Sequence, residues 1–248
     1  VEVTISESDR WILEGMPFEP SRHPHISHII NDIFQYKGSP LKIDIKSGLF
    51  SAAGLGSSAA LSNSMGAALH QFTKPNEPLD LISLAKMGHS AEANAQKGRA
   101  SPTDTATSAL GGCIVVSGHK VRGTRHVFDA TLETPEGSRS WSVCEAKLPE
   151  IEDIWIVLGS TGIGSPTGKM VEGVSELIGK YPQKMDDIRA IGDITSSGLA
   201  SLSAGDMEGV GSAMSSCHER LRNLGVSCNE LENLISAVDS HSLGAKLT

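Results

Sequence analysis

Positive charge is in short supply. Against 29 Asp and Glu the 248 residues offer 21 Lys and Arg, a formal net charge of −8. No basic surface is therefore expected for a nucleic-acid backbone or an anionic membrane. No apolar run approaches the roughly 20 residues that a membrane-spanning helix needs. The N-terminus carries acids and has no continuous apolar segment, which argues against a signal peptide. Four cysteines, Cys113, Cys144, Cys217 and Cys228, lie far apart and form no C-x-x-C pair, so neither a zinc site nor a disulfide framework is indicated, and a reducing cytoplasm suits them. Solenoid-period repeats and low-complexity tracts are also missing. The length allows one large core or two modest ones. The chain starts at Val1 without an initiator Met and stops in Leu243–Thr248, which reads as a strand just beginning. It is expected to be a fragment.

What is present centres on Gly54-Leu55-Gly56-Ser57-Ser58-Ala59-Ala60, which runs into Leu61, Met65, Leu69 and Phe72 at the spacing of a buried helix face. A glycine loop opens a helix. Glycines let an oxyanion approach the backbone, and the first-turn N–H groups and the helix dipole favour it, so the expected ligand is a phosphate. The loop has no P-loop lysine and is not G-x-G-x-x-G. Its serines also suit plain helix caps, an alternative the loop alone leaves open.

Along the chain, Val1–Ile5, Trp11–Gly15 and Leu41–Lys46 read as strands, the last with Leu41, Ile43 and Ile45 on one face. Between them, Ile26, Ile29, Ile30 and Ile33 recur at helical spacing, with Pro24 in a first turn and a stop near Gly38-Ser39-Pro40. His23, His25 and His28 lie on or just before this helix; their spacing does not converge on a metal, and they read as exposed polar positions. A second long helix is expected from Leu79 to about Gln96, carrying His89 and Glu92 on one face. Pro102 then bends the chain before Asp104, with a short helix possible after it. Cys113–Val116 reads as a strand, His119–Pro149 as polar and strand-like, and Ile154–Leu158 as a buried strand leading into a small-residue loop, 159–167. Helices are expected around 167–180, 184–203, 206–223 and 229–239.

Three features belong together: the anion loop, Glu92 on a helix and Asp104 in a tight loop. Phosphoryl transfer from a nucleotide needs such parts, namely donors around the phosphates, magnesium held by a carboxylate and a hydroxyl, and a group beside the accepting alcohol. Each also has an ordinary reading, Glu92 as a solvated helix face, Asp104 as a turn or cap, and Ser57 or Ser58 as a cap.

The loop resembles the phosphate-binding motif of the galactokinase, homoserine kinase, mevalonate kinase and phosphomevalonate kinase (GHMP) superfamily. The likeness continues through His23-Pro24, Leu84–His89, Ala100–Thr105, Gly111-Gly112, Leu158–Gly162 and Tyr181-Pro182, a combination similar to archaeal-type mevalonate kinases. The resemblance implies an α+β fold of two two-layer domains, a ribosomal-protein-S5-like ATP-binding part at 1–150 and an incomplete ferredoxin-like part at 151–248. It implies ATP on Gly54, Leu55, Gly56, Ser57, Ser58 and Ala59, magnesium on Ser58 and Glu92, and Asp104 facing the hydroxyl that accepts the phosphoryl group. Mevalonate would be met by His23, Thr103 and Thr161. Equating Glu92 with the metal ligand places an extra residue, Lys97, between Gln96 and Gly98. His89 reads as structural, because magnesium prefers oxygen. Phe50 stands where relatives carry proline, and the family's N-terminal lysine motif and C-terminal glycine-rich segment are not in the sequence. The resemblance further implies a cytoplasmic enzyme of isoprenoid precursor synthesis, with homodimers among the family's states and no nucleic-acid or membrane partner. A phosphomevalonate kinase or other small-alcohol kinase, or a silent nucleotide- or metabolite-binding fragment, stands as the alternative.

Overall fold

The computed structural model describes every residue except 50–53, 135–136, 151–153 and 165–166. The chain divides into two compact units, one of Val1–Ser51 with Leu55–Ala146, the other of Ala52–Gly54 with Lys147–Thr248. The departure at Phe50 and the Ser165-Pro166 part of the later loop fall outside the described residues.

The first unit is built on a four-stranded sheet in the order β1-β4-β2-β3. Strand β1 (Glu2–Glu7) runs antiparallel to β4 (Leu41–Lys46), in register from Glu2↔Lys46 to Glu7↔Leu41, and β2 (Ile12–Leu13) lies parallel on β4's other edge. β2 turns into β3 (Met16–Pro17) through Glu14 and Gly15, both at positive φ (52° and 76°), as a two-residue hairpin that matches strand twist requires. Alternation in β4 puts Leu41 and Ile43 in the core with no exposure, against Ile26, Ile29, Ile30, Met65 and Leu69. Each such side chain contributes roughly 1.5–3 kcal/mol of burial.

The helix expected after Pro24 changes character. Helix α1 (Pro24–His28) passes into a wider π turn over Ile29–Ile33, closed by Phe34 N–H on the Ile29 carbonyl at 3.0 Å. Both parts keep their isoleucines inward. Helix α2 (Ser57–Thr73) starts directly after Gly56, and α3 (Leu81–Ala95) is capped by Asp80, which accepts from Ser83 N–H at 2.9 Å. Helix α4 (Thr103–Leu110) follows Pro102, so Asp104 sits inside its first turn. Beyond it, β5 (Cys113–Ser117), β6 (Thr124–Thr134) and β7 (Gly137–Ala146) form an antiparallel sheet, order β5-β7-β6. Phe128, Ala130 and Val143 of that sheet share a second core cluster with Ala85 of α3 and Ala106 of α4. Helix α3 thus contributes to both clusters, through Ala91 to the first and Ala85 to the second, and α4 packs into the second.

The second unit contains α5 (Thr167–Lys180), α6 (Met185–Ala204), α7 (Met207–Asn223) and α8 (Asn229–Val238), close to the expected spans. Gly205 at φ 74° closes α6 and Asp206 caps α7. The buried strand expected at Ile154–Leu158 is not formed: these side chains are 46–87% exposed, and no strand occurs among the second unit's described residues. A strand's N–H and C=O groups need a neighbour to pair with, and the sequence run alone cannot supply one. Among the described residues no helix is long and apolar enough to cross a membrane.

Candidate functional site

The site grows from the start of α2. Gly54 and Gly56 take left-handed backbone conformations, φ 70° and 64°, that other L residues adopt at a cost. Gly56 also lies close to Asp104: a Cβ there would be in contact with Cβ and Cγ of Asp104 at 3.4 Å. This close approach brings Asp104 against the loop. No side-chain hydrogen bond caps α2, whose N-cap residue is Gly56 itself. Neither serine therefore spends its hydroxyl on the helix end, which answers the capping alternative.

Ser58 instead donates to Glu92 Oε2 at 3.1 Å, across 34 residues of sequence. One turn on in α2, Ser62 donates to Oε1 at 3.3 Å, and one turn beyond Glu92, at the C-terminal cap of α3, Gln96 donates to Oε2 at 2.7 Å. The i,i+4 spacing of each pair puts both members on one helix face. His25, in the first turn of α1, sets Nε2 3.2 Å from Oε1. Glu92 is only 5% exposed. Burial by itself raises its carboxyl pKa, but contact with His25 and the hydroxyl and amide donors of Ser58 and Gln96 outweighs it and holds the net value below the ordinary range. Glu92 is thus a buried, firmly ionised acceptor and not a solvated helix face.

Asp104 differs. It is exposed, yet neighbouring protein atoms take away part of its hydration. That lost hydration first, and the charge of Glu92 second, raise its pKa above the usual carboxylate value. Two carboxyls a short way apart are pushed in opposite directions, the pattern expected where one is to stay ionised and the other to exchange a proton. Nearby, Asn63 of α2 donates to the Thr105 carbonyl at 2.8 Å, which ties α4 and Asp104 to the same helix that carries Ser58.

Other expected residues take other places. Thr103 accepts from Ser101 Oγ at 3.1 Å and Thr107 caps back onto its carbonyl. Ala59 is buried and Leu55 half-buried beside the loop. His23 stacks on Phe18 at 6.0 Å, and Thr161, in the second unit, accepts from Ile163 N–H at 3.1 Å. His89 is buried, hydrogen bonded to the Ala100 carbonyl at 3.2 Å and edge-on to Trp141; burial lowers its pKa, partly offset by that carbonyl and by Glu92. Lys97 (φ 54°) and Gly98 (φ 82°) form the turn that follows α3. The histidines do not converge: His28 joins Asp32 and Ser90, and it is His25 that reaches the acid. Sequence reasoning missed His25, Ser62 and Gln96. For the last two, i,i+4 spacing from Ser58 and Glu92 was the available signal.

The first unit thus brings together a helix start behind glycines, a hydroxyl–carboxylate pair and a second carboxyl across a glycine. In comparison with known proteins, residues 25–112 match the family GHMP kinases N terminal domain. Over that stretch the chain is similar to the GHMP kinases. It is 27% identical over 216 residues to the mevalonate kinase of Methanothermobacter thermautotrophicus, covering 86% of this chain and 62% of that protein's length. To the mevalonate kinase of Archaeoglobus fulgidus it is 26% identical over 254 residues, covering 99% and 76%. The crystal structure of L. major mevalonate kinase in complex with R-mevalonate superposes with a TM-score of 0.68 at 20% identity, over 99% of this chain and 72% of that one. The fold is shared with that structure.

Proposed function

We propose that this protein phosphorylates the primary hydroxyl of mevalonate with ATP, giving 5-phosphomevalonate and ADP. The observation that carries the reading is Ser58 Oγ at 3.1 Å from the ionised Glu92 carboxylate, at the start of an uncapped helix behind two left-handed glycines. The mevalonate kinases among its relatives support the choice of acceptor.

A magnesium ion fits the residues present. Ser58 and Glu92 offer a hydroxyl and a carboxylate, the oxygen donors a hard dication prefers, and these two would hold it. When bound with ATP, the ion neutralises charge developing on the phosphates. The remaining work falls to the chain. The α2 amides and the glycines hold the polyphosphate, and the raised pKa of Asp104 suits a group that accepts a proton from the alcohol. Its place against Gly56 puts that base beside the phosphate loop.

The test is ADP release with Mg·ATP, offering mevalonate, phosphomevalonate and galactose in parallel, with Asp104→Asn as control. Turnover on mevalonate is expected. The variant is expected to lose about 10²- to 10⁴-fold in kcat while binding a fluorescent ATP analogue as the parent does. Preference for another acceptor would overturn the substrate assignment, and equal loss of turnover and nucleotide binding would overturn the role of Asp104.

A further inference from the structure

We infer that His25 is a positioning residue for the metal carboxylate: it fixes Glu92 Oε1 so that Oε2 is presented to the ion beside Ser58. The inference rests on the reading of Glu92 as a metal ligand.

A carboxylate has about four lone-pair directions, two on each oxygen. In this structure four protein groups approach the carboxylate, and they divide by oxygen. Oε2 faces Ser58 and Gln96, at 3.1 and 2.7 Å, whereas Oε1 faces Ser62 and His25, at 3.3 and 3.2 Å. The Oε1 side is the deeper one: Ser62 has no exposure and His25 Nε2 is itself out of reach of solvent. Ser58, the other proposed ligand, contacts Oε2 alone. Oε2 is the oxygen that faces Ser58, so an ion held by Ser58 would meet that oxygen, and the groups on Oε1 would act on it through the carboxylate.

Of the two groups on Oε1, His25 has the greater leverage. Ser62 lies one turn from Ser58 on the same helix and moves with it. His25 comes from α1, so it is the contact that ties Glu92 to a third element. Its Nε2 is buried and has no aligned hydrogen-bond partner among the described residues; the approach to Oε1 is close but off the ring's N–H direction. A buried ring nitrogen left in that state is costly in packing terms, and the contact it retains is with the one acid in the site. If α1 served only the core, Ile26, Ile29 and Ile30 would suffice, and an apolar side chain at 25 would avoid the orphaned nitrogen. Groups that orient metal-bound carboxylates in this way typically change metal affinity by 10- to 100-fold when removed.

The experiment titrates Mn²⁺ into the protein saturated with the non-hydrolysable analogue AMPPNP, reading free Mn²⁺ by electron paramagnetic resonance, for the parent, His25→Leu, His25→Gln and Glu92→Gln. His25→Leu is expected to weaken Mn²⁺ binding about 10- to 100-fold. His25→Gln, whose amide N–H reaches a similar point, is expected to stay within about threefold of the parent, a rescue that a merely space-filling role would not give to a polar side chain over leucine. AMPPNP affinity in the absence of metal is expected to be the same in all four, and near-UV circular dichroism checks that each is folded. If Glu92→Gln loses Mn²⁺ but His25→Leu keeps it, the positioning role is overturned and the ligand assignment stands. If Glu92→Gln binds Mn²⁺ as the parent does, or the parent binds no more than AMPPNP alone, the ligand assignment falls and the role of His25 with it.

Discussion

One methyl group on Gly88 is expected to unsettle the site without touching it. Gly88 is buried in the middle of α3, and a Cβ there would lie 2.1 Å from Asn63 Oδ1 and 3.2 Å from Thr105 Cγ2. By helix propensity alone, Gly88→Ala gains about 1 kcal/mol. The clash opposes it. Asn63 is 4% exposed and its amide donates to the Thr105 carbonyl at 2.8 Å, so turning it aside strands buried polar atoms, at about 1–3 kcal/mol, on top of about 1–3 kcal/mol for overpacking. The clash wins, and the net loss is about 1–5 kcal/mol by these terms. A chain of this size then melts roughly 2–4 °C lower for each kcal/mol. Because Thr105 adjoins Asp104, turnover is expected to fall as well. Urea unfolding of Gly88→Ala, Asn63→Ala and the double variant tests the cause. In the Asn63→Ala background the methyl has room, and Gly88→Ala is expected to become neutral or stabilising. An equal loss in both backgrounds would refute the reasoning.

Asp104→Asn is expected to raise stability while lowering turnover. The folded-state pKa of Asp104 is raised, so its favourable, protonated state is complete below the ordinary carboxylate pKa, and stability is lost as pH rises through the folded value. Melting temperatures should favour the variant near neutral pH, by no more than about 1 kcal/mol given the solvent contact, and the two proteins should converge in acid; a gain that persists there would count against this account. His89 has the opposite sign of charge: its pKa is lowered from 6.5, so its contribution is present above that value and lost as pH falls through the folded one. The stability gap between parent and His89→Gln should narrow in that acid window, and a pH-independent gap would point to packing alone. In the second unit, a Cβ on Gly211 would lie 2.1 Å from the Leu243 carbonyl oxygen. Gly211→Ala is expected to cost about 1–3 kcal/mol or more and to speed amide exchange across 243–247; unchanged exchange would show that the segment is held elsewhere.

The local half of this protein could be read from its residues. Leu41, Ile43 and Ile45 alternate as a half-buried strand must, Leu61, Met65 and Leu69 repeat as a buried helix face, and the four helices from 167 to 238 follow periodicity with Gly205 as a break. Gly54 and Gly56 before two serines announce a helix start that anions favour. These features depend on backbone geometry within a few residues, where sequence distance and spatial distance are nearly the same. Long-range contact decided the rest. Whether Ser58 caps its helix or faces an acid depends on Glu92, 34 residues away, and whether Glu92 is solvated or buried depends on α1, which brings His25 to it. The Ile154–Leu158 run shows the same limit from the other side: its composition suits a strand, yet a strand exists only where another offers its edge. Sequence pattern set which elements can form and which faces are apolar; the packing of α1, α2, α3 and α4 against one another chose which polar side chains meet, because that choice depends on distances no local spacing encodes.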